Sequence, residues 1–115
     1  MGLDSYLYAV DERDAVSDFE CYENSNKIEF RYWRKHNYLH KWMRKLFIKK
    51  GGDIMVSGFN CEYVKVTLED LRFLRDDLDW AEENIDYFCD IEFVEEAIIF
   101  LIQNPKKVFY FYSWY

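Results

Sequence analysis

The sequence is poor in the residues that interrupt regular structure: of 115 residues, 1 is Pro and 4 are Gly. This scarcity excludes collagen-like repeats and long flexible linkers. No apolar run approaches the roughly 20 residues of a membrane-spanning helix. The amino end has neither the basic nor the apolar region of a secretion signal. We therefore expect a cytoplasmic protein that forms a single domain, residues 1–115, and makes no membrane contact.

Cysteine is also scarce, and the three thiols belong to Cys21, Cys61 and Cys89. An odd number at wide spacing fits reduced thiols rather than a disulfide framework. The spacing of His36 and His40 is compatible with zinc, but no third ligand is evident nearby. A Cys61 nucleophile activated by His40 is a further alternative. Because no phosphate loop, nucleophile elbow or dinucleotide fingerprint is present, we assign no catalytic residue, no metal and no cofactor.

Aromatic residues are abundant, with 10 Phe, 10 Tyr and 4 Trp. Alternating or β-branched stretches predict strands at residues 3–10, 19–22, 28–32, 61–66 and 106–115. Apolar residues at three- and four-residue steps predict helices from 33 or 36 to 50, from 68 to 86, and from 91 to 103. The expected fold is α+β, a mainly antiparallel sheet of four or five strands with about three helices packed on one face.

Local signals fix several element ends and strand faces. Thr67 with Asp70 three residues later is typical of a capping box at a helix start. The Gly51-Gly52 pair predicts the end of the preceding helix. In the last strand, alternation places one set of side chains on each face of the sheet, with Val108, Tyr110 and Tyr112 opposite Phe109 and Phe111.

Charge is divided along the chain, although the net charge is only −7. Residues 27–50 contain nine basic side chains and one acid, whereas residues 69–96 contain twelve acids and two arginines. Two interpretations are open: the segments lie side by side and partly neutralise each other, or they lie on opposite sides and one of them faces a charged partner.

The basic segment also suggests a binding site. If the helix begins at Trp33, the side chains of Trp33, Asn37, His40 and Arg44 fall within about 60° of one another on a helical wheel. An indole, an amide, an imidazole and a guanidinium could together hold a nucleobase and a phosphate. Cations on the flank of this stripe complete the candidate site, which comprises Trp33, Arg34, Asn37, His40, Lys41 and Arg44.

Four segments stand out in order along the chain. They are the opening Met-Gly-Leu-Asp-x-Tyr-Leu, the central Tyr-Trp-Arg-Lys-x-Asn-x-x-His-Lys-Trp block at residues 32–42, the stretch at residues 60–71, and the aromatic end at residues 109–114. Together they resemble a family of small, uncharacterised bacteriophage proteins. The resemblance implies a phage-encoded protein in the cytoplasm of an infected bacterium. It also directs attention to the central block, which overlaps the candidate site.

Three hypotheses for function follow. The leading one is a non-enzymatic accessory protein that binds a host or phage macromolecule, with a protein as the expected partner. The alternative is a binder of nucleotides or short nucleic acids through the basic aromatic helix at residues 33–50. The third is an enzyme that uses His40. The oligomeric state is left open by the sequence.

Overall fold

A computed structural model describes residues 2–20, 27–52, 59–80 and 87–115, with the side chains of residues 78–80 and 87–90 left aside. These ranges contain four strands, three α-helices and one 3-10 turn at Glu12–Asp14. In chain order they are β1 (Asp4–Asp11), β2 (Ile28–Arg34), α1 (Asn37–Lys49), β3 (Glu62–Val66), α2 (Leu68–Trp80), α3 (Tyr87–Gln103) and β4 (Lys107–Trp114).

The strands form one antiparallel sheet in the order β2-β1-β4-β3. β4 therefore lies in the middle of the sheet, between β1 and β3. All three helices contribute to the core on one face of this sheet. The α+β fold predicted from the sequence is confirmed.

The core lies between the helices and alternate residues of the strands. Fully buried side chains come from the two central strands, for example Leu7 of β1 and Phe111 of β4. Met43 of α1, Leu74 of α2 and Val94 of α3 are also fully buried in the same cluster. Because side chains of a strand alternate between faces, this arrangement turns the intervening residues to the other side of the sheet.

The face of the sheet opposite the helices carries a row of tyrosines, one from each strand. The register pairs Tyr32 with Tyr6, Tyr6 with Tyr112, and Tyr112 with Tyr63. Ring centroids are 5.0 Å apart for Tyr6 and Tyr32, and 4.6 Å apart for Tyr63 and Tyr112. We call these four residues the tyrosine row. The predicted alternation of β4 is confirmed, because Phe109 and Phe111 are buried in the core cluster.

The junction between β2 and α1 corrects one sequence prediction. Trp33 lies on β2 and not on the helix, because the alternating pattern of the strand continues to Arg34. Lys35 then adopts a left-handed backbone with φ of 59°, and its amide donates to the Leu3 carbonyl at 2.7 Å. His36 caps α1, since its Nδ1 accepts a hydrogen bond from the Leu39 amide at 3.3 Å. The helix therefore begins at Asn37.

The end of α1 is a Schellman motif, which confirms the predicted glycine stop. The Gly52 amide donates to the Phe47 carbonyl at 2.8 Å, and the Gly51 amide donates to the Ile48 carbonyl at 3.0 Å. Gly51 has a φ of 103°, which disfavours any residue with a side chain. A Cβ atom on Gly52 would lie 2.3 Å from the Phe47 ring. Both glycines are therefore required for the chain to turn here.

The capping box at the start of α2 is confirmed as well. The Thr67 amide donates to Asp70 Oδ2 at 2.9 Å, and the Asp70 amide donates to Thr67 Oγ1 at 3.3 Å. α2 is described as far as Trp80, so the predicted continuation to residue 86 lies outside the described residues. α3 begins at Tyr87, four residues before the predicted start.

The short strand expected at residues 19–22 is not found at residues 19–20, and residues 21–22 lie outside the described part. Instead, residues 17–20 form a loop against the sheet. The Lys65 amide of β3 donates to the Asp18 carbonyl at 2.7 Å. The Tyr110 hydroxyl donates to the carbonyls of Ser17 and Glu20 at 2.6 and 2.9 Å. The loop thus satisfies one backbone amide on the outer edge of β3.

Candidate functional site

The structure separates the side chains of the predicted stripe. Trp33 faces the helices from β2, and its ring lies 4.8 Å from the Phe93 ring and 6.3 Å from the Phe111 ring, centroid to centroid. Because Trp33 packs against the core, its indole is not beside Asn37 and Arg44 on one helix face. Arg34 is exposed at the end of β2, and Asn37 is exposed at the first position of α1. The placement of Trp33 on the stripe is therefore wrong, whereas Asn37, His40 and Arg44 keep their predicted spacing on α1.

His40 is partly buried and has a structural environment. Its Nδ1 lies 3.0 Å from Ser113 Oγ, and its ring packs 5.5 Å from the Phe59 ring and 5.0 Å from the Tyr115 ring. Burial lowers the pKa of His40, and the positive charge of Arg44 lowers it further. His40 is thus favoured in its neutral form. Its hydroxyl partner is fully buried, so Ser113 is not reachable as a nucleophile.

The thiol of Cys61 and the imidazole of His40 lie on opposite faces of the sheet. Cys61 lies beside Tyr112 of the tyrosine row, and a hydrogen bond with the Cys61 side chain, followed by burial, raises the pKa of Tyr112 to about 12. His40 contacts Ser113, the next residue along β4, on the helix face. Because neighbouring residues of a strand point to opposite faces, His40 does not activate Cys61.

The two histidines one turn apart do not form a metal site with other ligands. Nδ1 of His36 caps the helix, and Nδ1 of His40 is bonded to Ser113. Across residues 2–20, 27–52, 59–80 and 87–115, no group of three or more His, Cys, Asp or Glu side chains has the proximity that a metal ion needs. The histidine spacing is therefore explained by capping and packing.

A groove of about 650 Å³ lies between α1 and α2. We call it the α1–α2 groove. It exists because α2 packs closely against α3 and approaches α1 at only a few points. Three exposed lysines of α1 line it, and we call Lys41, Lys45 and Lys49 the lysine row. They follow one another at four-residue steps, so they lie along one side of the helix. Lys41 is the one residue of the predicted site that the groove contains.

Aromatic rings form the other half of the groove. Tyr38 and Trp42 come from α1, and Phe73 comes from α2. The Trp42 indole is held in place because its Nε1 donates to Asp77 Oδ2 at 2.6 Å. Phe73 is 50% exposed, which is unusual for a phenylalanine, and the Lys49 ammonium lies 5.0 Å from its ring centroid. The groove therefore offers aromatic surface directly beside positive charge.

The acids of the groove are already engaged. Asp70 is largely buried, and its Oδ2 accepts from Lys50 Nζ at 2.7 Å as well as from Thr67. Asp77 accepts from Trp42. Within the described part of the chain, none of the three members of the lysine row forms an ion pair with a carboxylate. Positive charge therefore dominates the open part of the groove.

The basic and acidic segments lie side by side, as the first interpretation of the divided charge predicted. Arg31 of β2 pairs with Glu96 of α3, in addition to the contact between Lys50 and Asp70. The neutralisation is incomplete, because among the described residues no carboxylate pairs with Lys41, Lys45 or Lys49.

Sequence reasoning identified Lys41 but missed the rest of the groove. The signal for Lys45 and Lys49 was their four-residue spacing from Lys41, with Tyr38 and Trp42 interleaved. Phe73 could have been noticed because it falls outside the apolar stripe of α2, which consists of Leu68, Leu71, Leu74 and Leu78. The contact between Phe73 and α1, however, could be seen only in the tertiary structure.

A scan of family models, a search of curated proteins and a search of solved structures each give no match to this chain. None of the helices in the described ranges combines the length and the apolar character required to cross a bilayer.

Proposed function

We propose that this chain is a small, non-enzymatic accessory protein that binds nucleotides or short nucleic acids in the α1–α2 groove. The observation that carries the proposal is the lysine row beside Trp42 and Phe73 in one groove of about 650 Å³. The proposal keeps the alternative hypothesis drawn from the sequence but moves its site from the stripe at Trp33 to the side of α1 that faces α2. The phage resemblance supports an infected bacterial cytoplasm as its place of action.

The groove has the two chemical features that such a ligand requires. Lysine ammonium groups attract phosphates, and every base has a face that stacks on an aromatic ring. The volume lies within the range of about 300–1,000 Å³ that is usual for small-molecule sites. A purely apolar ligand would leave the ammonium groups unused, whereas a simple anion would leave Phe73 unused.

Binding is proposed rather than catalysis because the groove contains no paired nucleophile and base. Asp70 and Asp77 accept hydrogen bonds that fix Lys50, Thr67 and Trp42. His40 lies outside the groove, on the side of α1 that contacts Ser113. Asp70 and Asp77 therefore stabilise the shape of the groove.

The test is binding of a fluorescein-labelled oligothymidylate and a panel of nucleotides, measured by anisotropy and by thermal shift. We expect Lys45→Gln and Phe73→Ala each to weaken oligonucleotide binding by about tenfold, since one phosphate contact or one stacked base contributes about 1 kcal/mol or more. Lys106→Gln is the matched control, because Lys106 is exposed and lies outside the groove. Absence of binding to every nucleotide and oligonucleotide would reject the proposal.

A host or phage protein is the second candidate partner, and the tyrosine row is the observation that favours it. Tyrosine offers a large, rigid contact surface with a polar hydroxyl, and it is enriched at protein interfaces. Tyr32 is 45% exposed on this face. This candidate predicts that Tyr32→Ala abolishes capture of a partner from infected-cell lysate while oligonucleotide binding is unchanged. Capture that depends on Lys45 instead would argue against it.

A further inference from the structure

We infer that the ligand of the α1–α2 groove is a single-stranded nucleic acid whose backbone runs along α1, with successive phosphates on Lys41, Lys45 and Lys49. The inference rests on the proposed function and specifies its ligand. It also gives the site a long axis parallel to α1, which binding of a mononucleotide would not require.

The spacing of the lysine row carries the first step. Residues four apart in an α-helix are separated by about 6 Å along the axis. Three lysines therefore offer three positive charges in a line about 12 Å long. The step between them is close to the distance between neighbouring phosphates of an extended strand. One mononucleotide could contact at most part of this line, so a linear polyanion uses the row more completely.

The second step rests on the acids of α2, because their negative charge determines which wall of the groove lies next to the phosphate backbone of the ligand. Asp70 and Asp77 line the α2 side and would repel phosphates placed there. The backbone is therefore expected on the α1 side. Bases then point across the groove toward the exposed ring of Phe73 on α2, whose neighbour Lys49 is the last member of the lysine row.

The shape of the groove carries the third step. Trp42 is held by its hydrogen bond to Asp77, so one aromatic wall is rigid before any ligand binds. Stacking on these rings requires bases that are not already stacked and paired within a duplex. A cleft of about 650 Å³ between two helices accommodates only a few nucleotides. Both considerations favour a short stretch of single strand over a duplex.

The experiment compares thymidine monophosphate, di-, tetra- and octathymidylate, and a duplex of the octamer with its complement. We expect affinity to rise at least tenfold from the monophosphate to the tetranucleotide and then to level off. The duplex should bind more weakly than the single strand. For the tetranucleotide, the logarithm of affinity against the logarithm of salt should have a slope of about −2, since each neutralised phosphate of a single strand contributes about −0.7.

Variants locate the contacts. Lys41→Gln, Lys45→Gln and Lys49→Gln should each reduce the magnitude of the slope by about 0.7, whereas Lys106→Gln should leave it unchanged. Phe73→Tyr should retain affinity that Phe73→Leu loses, because only the former keeps a ring on which a base stacks. The circular dichroism spectrum and the melting temperature of each variant check that it is folded.

The outcomes separate the inference from the proposed function. If the monophosphate binds as tightly as the tetranucleotide, or if the duplex binds more tightly than the single strand, the inference is overturned while nucleotide binding stands. If Lys106→Gln changes the slope as much as Lys45→Gln, the linear contact along α1 is also overturned. If no probe binds, the proposed function itself fails.

Discussion

The buried contact between α1 and α2 provides a sharp test of how the groove is held in shape. Asp70 Oδ2 accepts hydrogen bonds from the Thr67 amide at 2.9 Å and from Lys50 Nζ at 2.7 Å. The side chains of Lys50 and Asp70 are only 16% and 12% exposed. Replacing Asp70 by Ala removes the acceptor of the Thr67 amide, which is one half of the capping box, and leaves the Lys50 ammonium without its carboxylate.

The expected cost can be worked out from these contacts. Loss of the hydrogen bond from the Thr67 amide contributes about 1 kcal/mol, and loss of a largely buried, charged hydrogen bond contributes about 2 kcal/mol. We therefore expect Asp70→Ala to lower the free energy of unfolding by about 3 kcal/mol. Asp70→Asn should cost less, because the amide oxygen still accepts from Thr67. Urea unfolding monitored by circular dichroism measures each value.

Two comparisons make the test specific. Glu69→Ala changes a neighbouring exposed acid and should shift stability by no more than about 0.5 kcal/mol. In a double-mutant cycle, Lys50→Met combined with Asp70→Ala should cost about 2 kcal/mol less than the sum of the single changes. The reasoning is refuted if Asp70→Ala costs less than about 1 kcal/mol, or if the two changes are additive. Oligonucleotide affinity of Asp70→Asn should not fall, because the variant removes a negative charge from the groove.

Two further predictions follow from groups whose pKa values the fold shifts. Because burial and then Arg44 lower the pKa of His40, the unfolded chain takes up a proton at higher pH than the folded protein, so stability should fall over the pH interval below about 6.5, the ordinary pKa of histidine. His40→Gln should lose less stability over the same interval in urea titrations, and an equal loss would contradict this. Near-ultraviolet absorbance should detect phenols that ionise late, among them Tyr112, and Cys61→Ala should lower the pKa of Tyr112 from about 12, because the hydrogen bond to that thiol is the largest cause of the shift. An unchanged titration curve would contradict this assignment.

Much of the fold could be predicted from local pattern. The alternation of β4, the capping box of Thr67 and Asp70, and the glycine stop of α1 depend only on residues close in sequence. Such signals remain valid because tertiary packing reinforces them. The start of α1 could not be placed in the same way. Trp33 and Arg34 fit a strand and a helix equally well. The chain turns from β2 into α1 at Lys35, whose left-handed backbone conformation could not be expected from a residue that lacks the conformational freedom of glycine.

The candidate surfaces were harder to predict. The α1–α2 groove depends on how two helices pack, and the tyrosine row depends on the order of the strands in the sheet. The packing of Leu39, Met43 and Phe47 determines which side of α1 is exposed to solvent. For this reason the groove contains the lysine row and not Asn37. The tyrosine row likewise required knowing that β4 lies between β1 and β3. Neither neighbour relation follows from spacing within a single segment.

The central position of β4 has a consequence for the order in which the sheet forms during translation. β1 and β3 both pair with β4 and not with each other, and Leu7 of β1 is connected to Val64 of β3 only through Phe111 of that strand. A nascent chain can form the β1–β2 hairpin early, but it cannot join β3 to that hairpin until the ribosome has released Lys107–Trp114. Pairing over so long a stretch of sequence is slow. Messages truncated before this strand should therefore yield products with two unpaired strand edges, which cellular proteases would remove.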